Sequence, residues 1–453
     1  MKNLLKLDRK LGRLIFVTTL PIVIQNLLDS AVNMADVVMV NSVSQEAMSA
    51  VSLASQATSL IFMFLFGVGT GMTMLGAQYW GKGDVSAIEK AQGIALRFTA
   101  VVAGLSIAAC LLVPEWLMRI FTNDEALIPL GMTYMRIFAA AILPWGVATV
   151  YLSTLRATGR VAICTAVETA SLLLNVALNA LFIFVFRMGV TGVALATAIS
   201  RGAELIACLV ISARSTTVKL RVAPAFENHR ALERDFASMC LPAIGNDLVW
   251  GLGFSMYTAI LGHVSSDAVA AVAIVNVVRN LGCVLCYGLA SASGIIVGQI
   301  LGTGDRTEGI RVGRIMVWLS VITGAMGGLM IAATQPLVAE GANLTDLARE
   351  YLRFMLNVNV VYIMGTAINT TLIAGIFRAG GDTKFGFWCD TIDMWCWAVP
   401  LGALAAFVLH LDVKIVYLLL CTDEFVKWPW VFRNYRSGRW AKNITRDNVD
   451  AAA

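Results

Sequence analysis

Apolar residues come in long runs along this chain, and polar residues gather in the short stretches between them. Twelve such runs can be counted, at about 14–40, 47–77, 94–113, 129–153, 161–186, 190–213, 235–261, 268–300, 313–334, 351–375, 384–408 and 413–432. A hydrocarbon core about 30 Å thick is crossed by roughly 20 apolar residues in a helix, so each run predicts a spanning helix. The last is the weakest, because Asp423 and Glu424 interrupt it. The first follows a basic N-terminus (Lys2, Lys6, Arg9, Lys10, Arg13). It is too long for the apolar region of a cleavable signal peptide and reads as a spanning helix.

The loops alternate in charge. One set carries Lys82, Lys90 and Arg97, Arg156 and Arg160, the 214–234 cluster, Arg306, Arg311 and Arg314, Arg378 and Lys384, and the basic C-terminus. The opposite set is poor in base and holds Glu46, Glu115, Asp124, Glu125, Glu340, Asp346 and Glu350. Basic loops stay on the cytoplasmic side, which predicts a multi-pass protein of the plasma (inner) membrane with both termini in the cytoplasm. Composition agrees: 58% of residues are hydrophobic and only 14% charged, with a mean hydropathy of +0.76, against about 25% charged in soluble domains. The net charge of +5 follows from topology and carries no nucleic-acid footprint. The nine cysteines show neither metal-ligand spacing nor a paired framework, and read as small buried hydrophobes. The three histidines fall near predicted helix ends, which argues against a histidine relay or zinc site.

The chain also repeats itself. "LPIVIQNLL…GKGD" (20–84) aligns without a gap on "LPAIGNDLV…GTGD" (241–305), 221 residues on. Pro21 faces Pro242, Gln78 faces Gln299, and Gly81, Gly83 and Asp84 face Gly302, Gly304 and Asp305. "YMRI" at 134 matches "YLRF" at 351, and "LRATGR" at 155 matches "FRAGGD" at 377. The expected fold is an all-α membrane protein of twelve transmembrane helices in two six-helix lobes related by a pseudo-twofold repeat. The expected organisation is an N-lobe over 1–213, a cytoplasmic linker loop over 214–234, a C-lobe over 235–432 and a cytoplasmic tail over 433–453. Transporters with repeated halves place their substrate site at the repeat interface and alternate access by rocking.

An aspartate at the centre of a spanning helix costs roughly 2.5–3.5 kcal/mol on insertion scales, so the polar residues inside the runs are candidates for function. Asp29, Asn33 and Asp36 are spaced i, i+4, i+7 and share one helical face. Asn175 and Asn179 share a face of the fifth run, and Thr197 lies in the sixth. Carboxylate, amide and hydroxyl oxygens suit a small hard cation; they equally suit a hydrogen-bond network around a protonatable acid. The second half offers Asp247, then Asp390 and Asp393 three residues apart, with Asp390 close enough to Lys384 to be interfacial. Arg279 is the deep base of that half, with Asp247 as its expected partner. Arg201 and Glu204 read as a local i, i+3 ion pair.

The motifs "MADVVMV", "GAQYWGKGD", "LRATGR", "LLLNVALN", "VALATAIS", "VGQILGTGD" and "FRAGGDT", in this order and recurring in both halves, resemble the multidrug and toxic compound extrusion (MATE) family over about residues 14–432. "GNDLVWGLG" at 245–253 resembles the bacterial DinF-like branch; Trp250 stands where the NorM-type branch has an acid. The resemblance implies a MATE/MOP-type fold with two lobes around a central cleft. It implies antiport of small organic, often cationic, compounds against H⁺ or Na⁺ by alternating access, and neither enzymatic activity nor a bound cofactor. Asp36 matches the family's first-helix acid, and Asn175, Asn179 and Thr197 match the rest of its N-lobe cation site. These four would be the metal ligands if Na⁺ were the coupling ion. Some members carry an acid at the position of Asn179. With one carboxylate fewer and neutral neighbours, H⁺ is favoured over Na⁺. The expected partners are the substrate and the lipid bilayer, with a monomeric chain. A flippase or exporter of lipid-linked or polar metabolites is the nearest rival. A channel or a membrane enzyme fits less well, because a two-half repeat with intramembrane acids suits alternating access, and no metal cluster, nucleophile–base pair or phosphate loop is evident.

Overall fold

The computed structural model describes residues 8–41, 45–227, 229–342 and 344–447, and the side chains of 33–38, 40, 41 and 45 lie outside the description. The apolar runs form helices α1 (Arg9–Asn41), α2 (Gln45–Lys82), α3 (Val85–Leu112), α4 (Leu127–Ala157), α5 (Val161–Val185) and α6 (Gly189–Arg214). The second half forms α7 (Arg230–Val264), α8 (Ser266–Gly302), α9 (Arg306–Gly341), α10 (Asp346–Phe377) and α11 (Thr383–Val408). Among the described residues ten helices are long and apolar enough to cross a membrane. The expected twelve differ in two places. Helix α7 is long enough, at 35 residues, but more polar, with Asn246 and Asp247 inside it. The last run is not one helix. It breaks into α12 (Val413–Leu420), α13 (Asp423–Val426) and α14 (Trp428–Ser437). The break has local causes: Thr422 turns its hydroxyl back to the Leu419 carbonyl at 2.6 Å, and Pro429, in the first turn of α14, has no N–H to continue the ladder.

The repeated Gly-x-Gly-Asp motif has the same local job in both halves. Gly83 and Gly304 adopt φ of +81° and +87°, a region that disfavours side chains. The following Asp84 and Asp305 cap the next helix, accepting from Ala87 N and Glu308 N at 2.9 Å each.

Two compact units are formed. One comprises Ile24–Cys240 with the tail from Thr445; the other comprises Leu241–Ile444 with α1 up to Val23. Both divisions in the first three hundred residues fall inside helices, two residues past Pro21 in α1 and two residues before Pro242 in α7.

In the first unit the core gathers Leu65, Met118, Met135, Phe138, Ile142 and Ala194. The 214–234 segment is tied to α3: Arg97 donates to the carbonyls of Ala225 at 2.8 Å and Glu227 at 2.5 Å and pairs with Glu233. A Cβ on Gly93 would sit 2.6 Å from the Pro224 carbonyl carbon. The tail is held too, by Arg446 on Asp235 and Lys82 on Asp447. In the second unit one core cluster centres on Val275, Met355, Leu356 and Val416, and another on Leu372, Ile376, Phe377 and Trp440. Trp440 is fully buried.

Candidate functional site

In the first unit, α5 and α6 bring three of the expected residues together. The Asn175 amide donates to Thr197 Oγ1 and Ser200 Oγ, both at 3.4 Å, and Asn179 donates to Asn175 Oδ1 at 3.2 Å. The spacing puts Asn175 and Asn179 on one face of α5 and Thr197 and Ser200 on one face of α6, and packing turns the two faces together. Thr197 and Ser200 turn their hydroxyl hydrogens to the carbonyls of Val193 and Thr197. The side chains of Asn33 and Asp36 lie outside the described residues, so the fourth member of the expected set has no described contact.

One turn further along the same two helices the chemistry becomes ionic. Arg201 pairs with Glu204 at 2.7 Å, the expected i, i+3 pair, and Ser171 Oγ donates to the same carboxylate at 3.1 Å. Arg156 and Glu168 pair at 2.6 Å. Asp29, half-buried on α1, lies within electrostatic reach of Glu168, Arg201, Arg156 and Glu204. Arg201 also rests its guanidinium 4.6 Å from the centre of the Trp145 ring, and Trp145 stacks on Phe62.

The second unit holds a denser charge cluster, and it corrects several expectations. Asp390 is not interfacial with Lys384; it is buried, and Lys427 reaches it at 3.0 Å. Lys427 is itself only 2% exposed and also faces Glu424 at 3.2 Å and Asp393 at 3.6 Å. Asp423 accepts from the hydroxyls of Tyr257 and Tyr362 at 3.1 and 3.2 Å. Asn369 donates to Glu424 at 2.6 Å. Among the described residues neither oxygen of Asp393 has a hydrogen-bond partner. Asp393 lies where α11 widens into a π turn, Ile392–Ala398, a distortion frequent at functional sites.

The expected Arg279–Asp247 pair is not formed. Asp247 pairs with Arg378 at 2.6 Å. Arg378 also donates to Asn246 Oδ1 at 2.8 Å, and Asn246 in turn donates to Asp390 at 2.6 Å. Arg279 instead lies 4.3 Å from the centre of the Phe254 ring. The reason is geometric: Arg378 enters from the end of α10, so a residue that the sequence assigns to a basic loop reaches inward. Among the described residues no group of three or more His, Cys, Asp or Glu is placed to hold a metal ion; in the acidic cluster the centre is taken by the Lys427 ammonium.

The MatE family pattern matches residues 21–181 and 242–404, two stretches that begin at the repeated prolines Pro21 and Pro242. The chain belongs to the MATE family of transporters. Relatives agree over nearly the whole length. The transporter YisQ of Bacillus subtilis (strain 168) is 24% identical over 94% of each chain. A probable multidrug resistance protein, NorM, of Thermotoga maritima is 23% identical over 95% of this chain and 94% of its own. In fold, the chain is similar to a MOP superfamily transporter from Pyrococcus furiosus, with a TM-score of 0.86 at 18% identity over 96% of this chain and 98% of that one. This MATE chain is thus a multi-pass membrane transporter of small substrates.

The sequence singled out the α5–α6 amides of this MATE protein as candidates; Lys427, Asn246 and the inward turn of Arg378 emerge only in the structure. A signal for Lys427 was present: Asp423, Glu424 and Lys427 lie at i, i+1 and i+4 in an otherwise apolar run.

Proposed function

We propose that this transporter is a secondary multidrug antiporter that exports organic, often cationic, compounds in exchange for H⁺, with Asp36, Asn175, Asn179 and Thr197 as the ion-coupling set. The observation that carries the reading is how the neutral groups of α5 and α6 are spent on one another: Asn179 gives a hydrogen to Asn175, and Asn175 gives hydrogens to Thr197 and Ser200. Such a network suits a neighbouring acid that alternates between two states. A protonated carboxyl enters as a donor, an ionised one only as an acceptor.

In the proposed cycle Asp36 is charged when empty. A proton from outside neutralises it and changes what α1 can offer α5 and α6. Two arrangements that bind the proton with different affinity are then biased by it, which is the requirement for coupling. The carboxylate-rich cluster around Lys427 is a further place where charge needs balancing, since unpaired buried ions are costly. The alternation of basic loops supports an inner-membrane location with both termini in the cytoplasm, and a single chain carries both halves of the repeat.

The test is dye efflux from vesicles containing the purified protein, with H⁺ and Na⁺ gradients imposed separately. Efflux that follows the proton gradient at fixed Na⁺ is expected. Efflux that follows only the Na⁺ gradient would overturn the proton reading, and large single-channel currents would overturn antiport altogether.

A further inference from the structure

Arg201 stands at the middle of α6 (Gly189–Arg214), where an arginine in a spanning helix is expensive and marks a functional site by default. Its surroundings lie wholly within the first unit. The guanidinium rests 4.6 Å from the centre of the Trp145 ring. Trp145 is backed by Phe62, their ring centres 5.0 Å apart and nearly parallel. The same guanidinium is 2.7 Å from Glu204, whose carboxylate is held by Ser171. Asp29 and Glu168 lie within its electrostatic reach. A flat, delocalised cation is therefore held between an aromatic face and a carboxylate, on a side chain still 23% exposed.

That arrangement is the recognition chemistry of an organic cation: a ring face attracts a weakly hydrated cation, and a carboxylate neutralises it. Arg201 is a long, flexible side chain whose partner sits on its own helix three residues on, so it can leave the ring without unfolding anything. We infer that the Trp145–Phe62 face and Glu204 form a binding site for a monovalent aromatic or quaternary organic cation, which the chain's own Arg201 fills when no substrate is present. The arriving cation displaces Arg201 from the ring. Net charge at the site is the same before and after only if Arg201 withdraws, so Arg201 is a built-in competitor for cations, while a neutral compound gains nothing from the ring's cation attraction or from the carboxylate.

This inference rests on the organic-cation reading above and gives that reading a site. Binding of tetraphenylphosphonium, and of neutral triphenylphosphine oxide as its control, is measured on the purified full-length protein in nanodiscs. Arg201→Gln is expected to tighten phosphonium binding about tenfold and to leave the neutral probe unchanged. Trp145→Leu is expected to weaken phosphonium binding roughly 3- to 30-fold, with Trp145→Phe restoring most of it. Unchanged or weaker phosphonium binding in Arg201→Gln overturns the inference. If that variant does not fold, the tryptophan pair decides: equal loss for charged and neutral probes in Trp145→Leu overturns it. Wild-type protein that exports organic cations while these variants behave like wild type removes this site alone. Wild-type protein that neither binds nor exports any organic cation removes both this site and the function proposed above.

Discussion

Arg156 and Arg378 stand at matching positions of the two halves, 222 residues apart, and each directs its guanidinium at a carboxylate: Glu168 at 2.6 Å in one half, Asp247 at 2.6 Å in the other. The repeat has kept the base and changed its partner. In the first half the acid comes from α5; in the second, the α11 acid Asp390 is reached only through Asn246, and Asp247 of α7 takes the direct contact.

Breaking one partner of such a pair should cost more than removing both. Arg378→Met is expected to lower stability by roughly 2–4 kcal/mol, because Asp247 is left charged without its base. Arg378→Met with Asp247→Asn should recover a substantial part of that. Thermal unfolding of the detergent-purified variants measures the cycle. Arg279→Met with Asp247→Asn should instead be additive to within about 0.5 kcal/mol, since the two residues share no partner.

Lys427→Met should be the most damaging single change in the charge cluster, at about 3–5 kcal/mol, for it leaves Asp390, Asp393 and Glu424 facing one another. Adding Asp390→Asn should relieve part of the loss. A double variant no better than Lys427→Met alone would show that the ammonium works mainly through the other two acids.

Asp36→Asn is expected to abolish gradient-driven efflux at unchanged membrane abundance. Asn179→Asp should raise the Na⁺ dependence of transport by adding a carboxylate to the network around Asn175. Wild-type rates in Asp36→Asn vesicles would remove Asp36 from the coupling set.

Gly380 meets the tail so closely that a Cβ would lie 1.7 Å from the Trp440 carbonyl oxygen. Gly380→Ala should therefore expel the segment around Trp440. Limited proteolysis is expected to clip the variant near residue 440 at protease levels that leave the wild type intact.

The caps offer a check on the repeat itself. Asp84→Ala and Asp305→Ala should each lose about 1 kcal/mol and by similar amounts, because each removes one 2.9 Å bond to a helix N-terminus. A large asymmetry between the two would mean that the motif does different work in the two halves.

The sequence by itself determined the helical membrane class, the two-half repeat, the family and the meeting of Asn175, Asn179 and Thr197. The first two rest on run length against bilayer thickness and on a constant offset; the family and the grouping of Thr197 with the two asparagines rest on the resemblance of the motifs, and i, i+4 spacing placed only Asn175 and Asn179 on one face. The Arg201–Glu204 pair was legible for the same reason. Only the tertiary structure decided which long side chains pair across helices. Arg378 reads as a loop base because it ends a run, yet its side chain reaches Asn246 and Asp247 on another helix. Lys427, Asp423 and Glu424 look like the failure of a spanning segment. They are tolerated because the broken segment turns them toward Asp390, Asp393, Tyr257 and Tyr362. A buried charge is stable only beside its partner, and partners more than a hundred residues apart in sequence, such as Asn246 and Asp390 or Arg378 and Asp247, are chosen by packing, which no local pattern encodes.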